Sequence, residues 1–162
     1  MTDFESLIRR FVDAKADFIL IGGVAATVHG SARLTRDIDF VYARDDANLA
    51  RVVAALDGTK AYLRGAPPGL PFRFDEETIR HGLNFTLTCD LGDVDLLGEV
   101  TGGGTYGDLL PHSMLIEVLG APCRCLDLPT LIRVKRAAGR PKDMEAIAEL
   151  EALYAEQKRA PE

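Results

Sequence analysis

FILIGGVAATVHGSARLTRDIDFVY, residues 18–42, is the stretch that decides the fold of this chain. Phe18 to Ile21 are all apolar and predict a short, fully buried strand. Gly22-Gly23 breaks it. Val24 to His29 reads as helix, with Gly30 as its C-terminal stop. Ser31 to Arg36 is a polar linker, and Asp37 to Tyr42 is a second strand. Successive side chains alternate across a strand, so Asp37 and Asp39 share one face while Ile38 and Phe40 face a core.

Upstream, Thr2 to Glu5 has the form of a capping box. Phe4, Leu7, Ile8, Phe11 and Val12 then recur at helical spacing. Downstream, Asp45 and Asp46 are N-cap candidates for a helix with a Leu49, Val52, Val53, Leu56 stripe that Gly58 closes. Lys60 to Arg64 reads as a strand, Gly65 to Pro71 as loop, and Phe72 to Arg80 as an edge strand and turn. Leu83 to Thr88 and Asp93 to Leu97 form an antiparallel hairpin around Leu91-Gly92. Thr101 to Asp108, TGGGTYGD, is a glycine-rich loop. Met114 to Leu119 and Pro122 to Leu126 make a second hairpin around Gly120-Ala121. Asp127 caps a helix over Leu128 to Ala138, ended by Gly139, and a last helix runs from Pro141 to near Gln157. The expected fold class is α/β (α+β): a mixed, largely antiparallel sheet flanked by helices. One domain is expected across 1–162, with an α/β core over 1–126 and a helical segment over 127–158.

The chain has 162 residues, 47% apolar and 27% charged. That is an ordinary composition for a globular protein with a full core. The net charge of -6 argues against a duplex-DNA binder, which needs a broad basic surface. The longest near-apolar run, Phe18 to Val28, is short of the roughly 20 residues a membrane helix needs. The start, MTDFESLIRRF, lacks the apolar core of a signal peptide, so a cytoplasmic protein away from membranes is expected. Cys89, Cys123 and Cys125 are expected as reduced, buried thiols, without zinc-site spacing.

Two acids so close on one strand face repel unless a cation lies between them. Hard oxygen ligands at this spacing suit Mg²⁺, which takes one or two carboxylates together with substrate phosphates. Asp93-Val-Asp95-Leu-Leu97 repeats the design, and segment 90–99 carries Asp90, Asp93, Asp95 and Glu99 with no base. If that strand lies beside Asp37 to Tyr42, Asp95 completes a three-carboxylate cluster able to hold two Mg²⁺ ions. Asp93 sits at the turn and is read as solvated. Gly22-Gly23 gives close backbone approach at a helix start, a generic phosphate site. Arg33 and Arg36 lie within reach of phosphate oxygens. Segment 127–142 holds Arg133, Lys135, Arg136, Arg140 and Lys142 against Asp127 alone, while 143–157 holds five acids and no base. That basic island is placed to face a triphosphate or an acceptor.

Gly22-Gly23, Asp37-Ile-Asp39 and Val94-Asp95-Leu96 together resemble the nucleotidyltransferase (DNA polymerase β-like) superfamily. GGVAATVHGSARLTRDIDF and LIRVKRAAGRPKD resemble its small bacterial abortive-infection and toxin-type members. The resemblance implies transfer of a nucleoside monophosphate from an NTP to a hydroxyl, with two Mg²⁺ ions on Asp37, Asp39 and Asp95. It implies Gly22 and Gly23 around the phosphates, Lys135 as a phosphate contact, and Lys142 and Asp143 nearby. The implied acceptor is RNA such as tRNA, a protein or a small molecule, and the implied partner is a cognate antitoxin. One departure is Gly-Gly where the family also uses Gly-Ser, which removes a hydroxyl contact. A dinucleotide-binding domain is disfavoured because G-x-G-x-x-G is absent, and a P-loop because Gly102-Gly103-Gly104 is not followed by Gly-Lys-Ser/Thr. The alternative is a catalytically inactive NTP-binding or protein-interaction module of the same fold.

Overall fold

The computed structural model of the chain describes residues 1–159. In chain order the elements are α1 (Phe4–Asp13), β1 (Phe18–Ile21), α2 (Gly22–Val28), β2 (Asp37–Tyr42), α3 (Asp46–Ala55), β3 (Tyr62–Leu63), α4 (Glu76–His81), β4 (Asn84–Cys89) and β5 (Gly92–Leu97). They continue with β6 (Glu99–Val100), β7 (Gly104–Thr105), α5 (Tyr106–Leu109), β8 (Ser113–Val118), β9 (Ala121–Leu126), α6 (Leu128–Ala138) and α7 (Asp143–Arg159). Seven strands form one sheet in the order β3-β4-β5-β2-β1-β9-β8. Four neighbouring pairs are antiparallel, and β1–β9 and β2–β5 are parallel. This is the mixed, largely antiparallel α/β sheet expected from the alternation of the strands. Among the described residues no helix is long and apolar enough to cross a membrane.

The two faces of the sheet do different work. Phe18, Phe40 and the α1 residue Phe11 meet on one face, with ring centroids 4.4 to 5.6 Å apart. Such aromatic pairs add about 0.5–1.5 kcal/mol beyond their burial. Val41 and Tyr42 extend the buried surface, and the Tyr42 hydroxyl donates to Leu83 O at 2.7 Å. Cys123 and Cys125 are buried, as expected of small core residues, and burial pushes their thiols up to about 11 and about 12. On the other face, α2 packs against β1 and β2. A smaller cluster of Ala26, Leu128, Ile132, Ile147 and Leu150 joins α2, α6 and α7 there.

Asn48 ties α3 to the ends of β1 and β2. It is fully buried, accepts from Asp17 N at 2.6 Å, and donates to Asp17 O at 3.0 Å and Ala43 O at 2.8 Å. Asn48→Ala strands these backbone groups away from water. It is expected to cost about 3 kcal/mol, read as a lowered midpoint in urea unfolding with unchanged m.

Local chemistry overrides the expected assignment at three places. Asp3, not Thr2, caps α1, accepting from Ser6 N at 3.0 Å. Thr2 instead donates to Arg36 O and accepts from Asp93 N, fastening the chain start to the leading ends of β2 and β5. Phe72 to Arg80 is not an edge strand: Asp75 accepts from Thr78 N and starts the helix α4. The glycine-rich Thr101 to Asp108 is not all loop. Gly104–Thr105 pairs with Glu99–Val100, and a reciprocal Thr105–Asp108 capping box starts α5.

Candidate active site

The parallel pairing of β2 with β5 builds the site. Its register sets Asp37 beside Asp93 and Asp39 beside Asp95, so four carboxylates stand on one face. Ile38, Phe40, Val94 and Leu96 point to the opposite face and are fully buried, which fixes the register. Carboxylate oxygens of Asp37, Asp39 and Asp95 lie within 4.8 Å of one another. Burial, the contact with Asp95 and the like charges of Asp37 and Asp95 hold the Asp39 carboxyl well above the usual range, with Lys135 opposing. Burial also raises Asp95, against the pull of its contact with Asp39 and of Arg64. Three hard oxygen donors of like charge, at this spacing, fit a divalent cation such as Mg²⁺.

Gly22 and Gly23 serve this acid face directly. Gly22 has φ of 70°, and a Cβ there would overlap Asp39 Oδ2. A Cβ on Gly23 would lie 2.6 Å from Thr35 Oγ1. The glycine pair therefore lets α2 start against Asp39 and Thr35, a packing reason that stands beside any phosphate contact. Gly22→Ala is expected to lose at least about 1–2 kcal/mol to backbone strain alone. Thermal melting checks this, and Gly22→Ser should be no better.

The acid face forms the floor of a cleft of about 290 Å³. One wall is the Ser31 to Thr35 linker with α7, and the other is the α6–α7 junction. Glu149 of α7 accepts from Ser31 Oγ and from Ala32 N, which fastens the linker to the helix. These contacts draw the Glu149 carboxyl below the usual range. At the junction, Asp143 is 3% exposed and takes Arg140 Nε at 2.8 Å, with Lys135 Nζ at 3.6 Å. Burial works against its ionisation, but the Arg140 hydrogen bond, Arg140 charge and Lys135 charge outweigh it and hold the carboxyl low.

The cleft gathers Gly22, Gly23, Arg33, Asp37, Asp39, Asp95, Lys135, Lys142 and Asp143. Arg36 does not join them: its side chain is exposed, and its carbonyl accepts a hydrogen bond from the Thr2 hydroxyl. The basic island divides. Lys135, Arg140 and Lys142 line the cleft, while Arg133 donates to Gly102 O at 3.3 Å and Arg136 pairs with Glu151. Asp93 is not simply solvated, because Arg64 Nε lies 3.5 Å from its Oδ1. Arg64 itself escapes sequence reading. It reaches the acid face from beyond β3, and the signal was the unbalanced charge of four acids on neighbouring strands.

The family model and the fold together mark a nucleotidyltransferase-type protein. The crystal structure of a Thermotoga maritima protein described as a candidate nucleotidyltransferase has the same fold. It superposes with a TM-score of 0.54 at 16% identity, over 92% of this chain and 94% of that one. The model for the family "Nucleotidyl transferase AbiEii toxin, Type IV TA system" matches residues 6–132. The chain belongs to that family. No curated protein sequence matches it.

Proposed function

We propose that this protein is a divalent-metal-dependent nucleotidyltransferase that moves a nucleoside monophosphate from an NTP to a hydroxyl. The observation that carries the reading is the meeting of Asp37, Asp39 and Asp95 at the floor of a cleft walled by Lys135, Arg140, Lys142 and Arg33. Negative and positive groups in one cleft suit a substrate that is itself polyanionic and metal-bound. Asp37, Asp39 and Asp95 would hold two Mg²⁺ ions. When bound, these screen the triphosphate and lower the pKa of the acceptor hydroxyl.

The protein side of the reaction is orientation and charge. Lys135 and Lys142 bind phosphate oxygens as point charges; Arg140 and Arg33 add forked donors. Gly22 and Gly23 keep the backbone close to the phosphates. The acceptor oxygen bonds to the α-phosphorus, the bond to the β-phosphate oxygen breaks, and pyrophosphate leaves. The hydroxyl proton passes towards the Asp95 carboxylate. Segment 1–126 acts as the catalytic core and 127–158 as its wall, in one domain. The family's name supports a toxin role and a cognate antitoxin. Action in the cytoplasm, on RNA such as tRNA, a protein or a small hydroxyl compound, is part of the same proposal.

The test incubates the chain with each α-³²P-labelled NTP, Mg²⁺ and RNA, protein or small-molecule acceptors. Label is expected on one acceptor class. It should require Mg²⁺ and vanish in Asp37→Asn and Asp95→Asn. Labelling that persists in both variants would refute the site. NTP binding with no transfer to any acceptor would support the inactive module instead.

A further inference from the structure

Arg64 is the feature that the assigned roles leave unused. It sits immediately after β3, and its backbone N–H donates to Thr86 O at 3.0 Å. Its guanidinium is held a second time, at Leu87 O, by Nη2 at 2.7 Å and Nε at 3.2 Å. The loop that follows is tied back as well. Tyr62 Oη donates to Pro67 O at 2.6 Å and accepts from Leu70 N at 3.1 Å. From this anchored position Arg64 reaches three of the four acids. Nη2 donates to Asp95 Oδ1 at 2.9 Å, while Nε lies 3.5 Å from Asp93 Oδ1 and Nη1 lies 3.6 Å from Asp37 Oδ2. Its side chain is 26% exposed, so solvent does not screen it fully.

We infer that Arg64 is a fixed internal cation and a positioning residue: it holds Asp95 by one oxygen, balances the acid face, and stays in place when a divalent ion binds. The inference rests on the reading of that face as a cation site. The anchoring decides against a swinging arm. A guanidinium bound twice to a main-chain carbonyl loses those bonds if it leaves, and the carbonyl is then left without its donors. The planar fork matters too. It serves the Leu87 carbonyl and the Asp95 carboxylate together, which a lysine ammonium cannot match in geometry.

Charge and geometry then predict opposite effects. Removing the positive charge strengthens the attraction of the face for a divalent ion. Removing the fork frees the Asp95 carboxylate to turn, which slows the chemistry. Loss of folding moves both in the same harmful direction, so the two readouts separate positioning from structural damage.

The experiment titrates Mn²⁺ into the full chain without nucleotide, followed by electron paramagnetic resonance, for wild type, Arg64→Gln and Arg64→Lys. Circular dichroism of each protein checks folding. Arg64→Gln is expected to bind Mn²⁺ about tenfold more tightly even with water-like screening. Its kcat is expected to fall at least tenfold with NTP KM unchanged. Arg64→Lys keeps the charge, so its Mn²⁺ affinity stays near wild type and kcat is partly restored. It also keeps the test decisive if Arg64→Gln fails to fold, because only the fork is then missing. Absence of Mn²⁺ binding by wild type, weaker or unchanged binding by folded Arg64→Gln, or an unchanged kcat overturns the inference. If Arg64→Gln binds Mn²⁺ more tightly but wild type transfers no nucleotide, the proposed reaction fails while the charge-balancing role of Arg64 stands.

Discussion

Asp39→Asn is expected to stabilise the metal-free protein at neutral pH while removing its activity. Asp39 stands against Gly22 with Asp37 and Asp95 beside it, and its carboxyl is held well above the usual range. A raised carboxyl favours the folded state while protonated. That contribution is full below the unfolded value, near 3.8, and is lost as pH rises through the raised folded value. Without metal, the fold therefore carries repulsion at Asp39 that Lys135 opposes only in part. Asparagine keeps the shape and removes the charge. The expected gain is about 1 kcal/mol, a melting point higher by about 2–4 °C in the presence of chelator. The gain should shrink at acidic pH, where the wild-type carboxyl is already neutral. Added Mg²⁺ should raise the melting point of wild type and leave the variant unmoved. Transfer should fall by at least about a thousandfold, the scale of several kcal/mol of lost charge stabilisation. Equal melting points with and without Mg²⁺ in wild type would count against the acid face as a cation site.

Asp143→Ala is expected to produce the largest loss of stability at the cleft wall. Asp143 is 3% exposed and holds both Arg140 and Lys135. Its removal leaves two cations facing each other without their anion; Arg140 is 55% exposed and screened by solvent, so the change costs about 1–2 kcal/mol. The few apolar contacts between α7 and the rest are those of Ile147, Leu150 and their neighbours, so the effect should be local first. Amide hydrogen exchange is expected to quicken across α7 before it changes in β2 or β5. The pH dependence has the opposite sign to that of Asp39. Asp143 is held below the usual range, so its contribution is present above about pH 4, the unfolded value, and is lost as pH falls through the folded one. Protection in α7, corrected for the slowing of intrinsic exchange, that falls on acidification in wild type but not in the variant would match this. Uniformly unchanged exchange would contradict the role of Asp143 as the junction's anchor.

What the sequence made legible was what depends on alternation and on neighbours close in the chain. Asp37, Asp39 and Asp95 could be placed on one face because their apolar partners Ile38, Phe40, Val94 and Leu96 demand the other. The β8–β9 hairpin and the Asp127-capped α6 followed from turn and cap residues. The short helices α4 and α5 were hidden, because six and four residues are too few to display a helical period. Their caps, Asp75 and Thr105, were the only local signals. Long-range contacts were hidden for a different reason. Nothing near Arg64 in the chain states that β4 will bring it to Asp95, and nothing near Arg36 states that its side chain will be left outside the cleft while its carbonyl holds Thr2. The glycine pair by itself suits phosphate, and its need for close approach to Asp39 exists only once β2 lies alongside.

The most direct measurement of the central claim is a paired-label reaction. One sample receives α-³²P-labelled NTP and the other receives the same NTP labelled at the γ-phosphate, each with Mg²⁺ and the accepting fraction. Nucleotidyl transfer at the Asp37, Asp39 and Asp95 site predicts α-label on the acceptor and γ-label released as pyrophosphate. Transfer of γ-label to the acceptor, or its release as inorganic phosphate with no α-label transferred, would contradict the account.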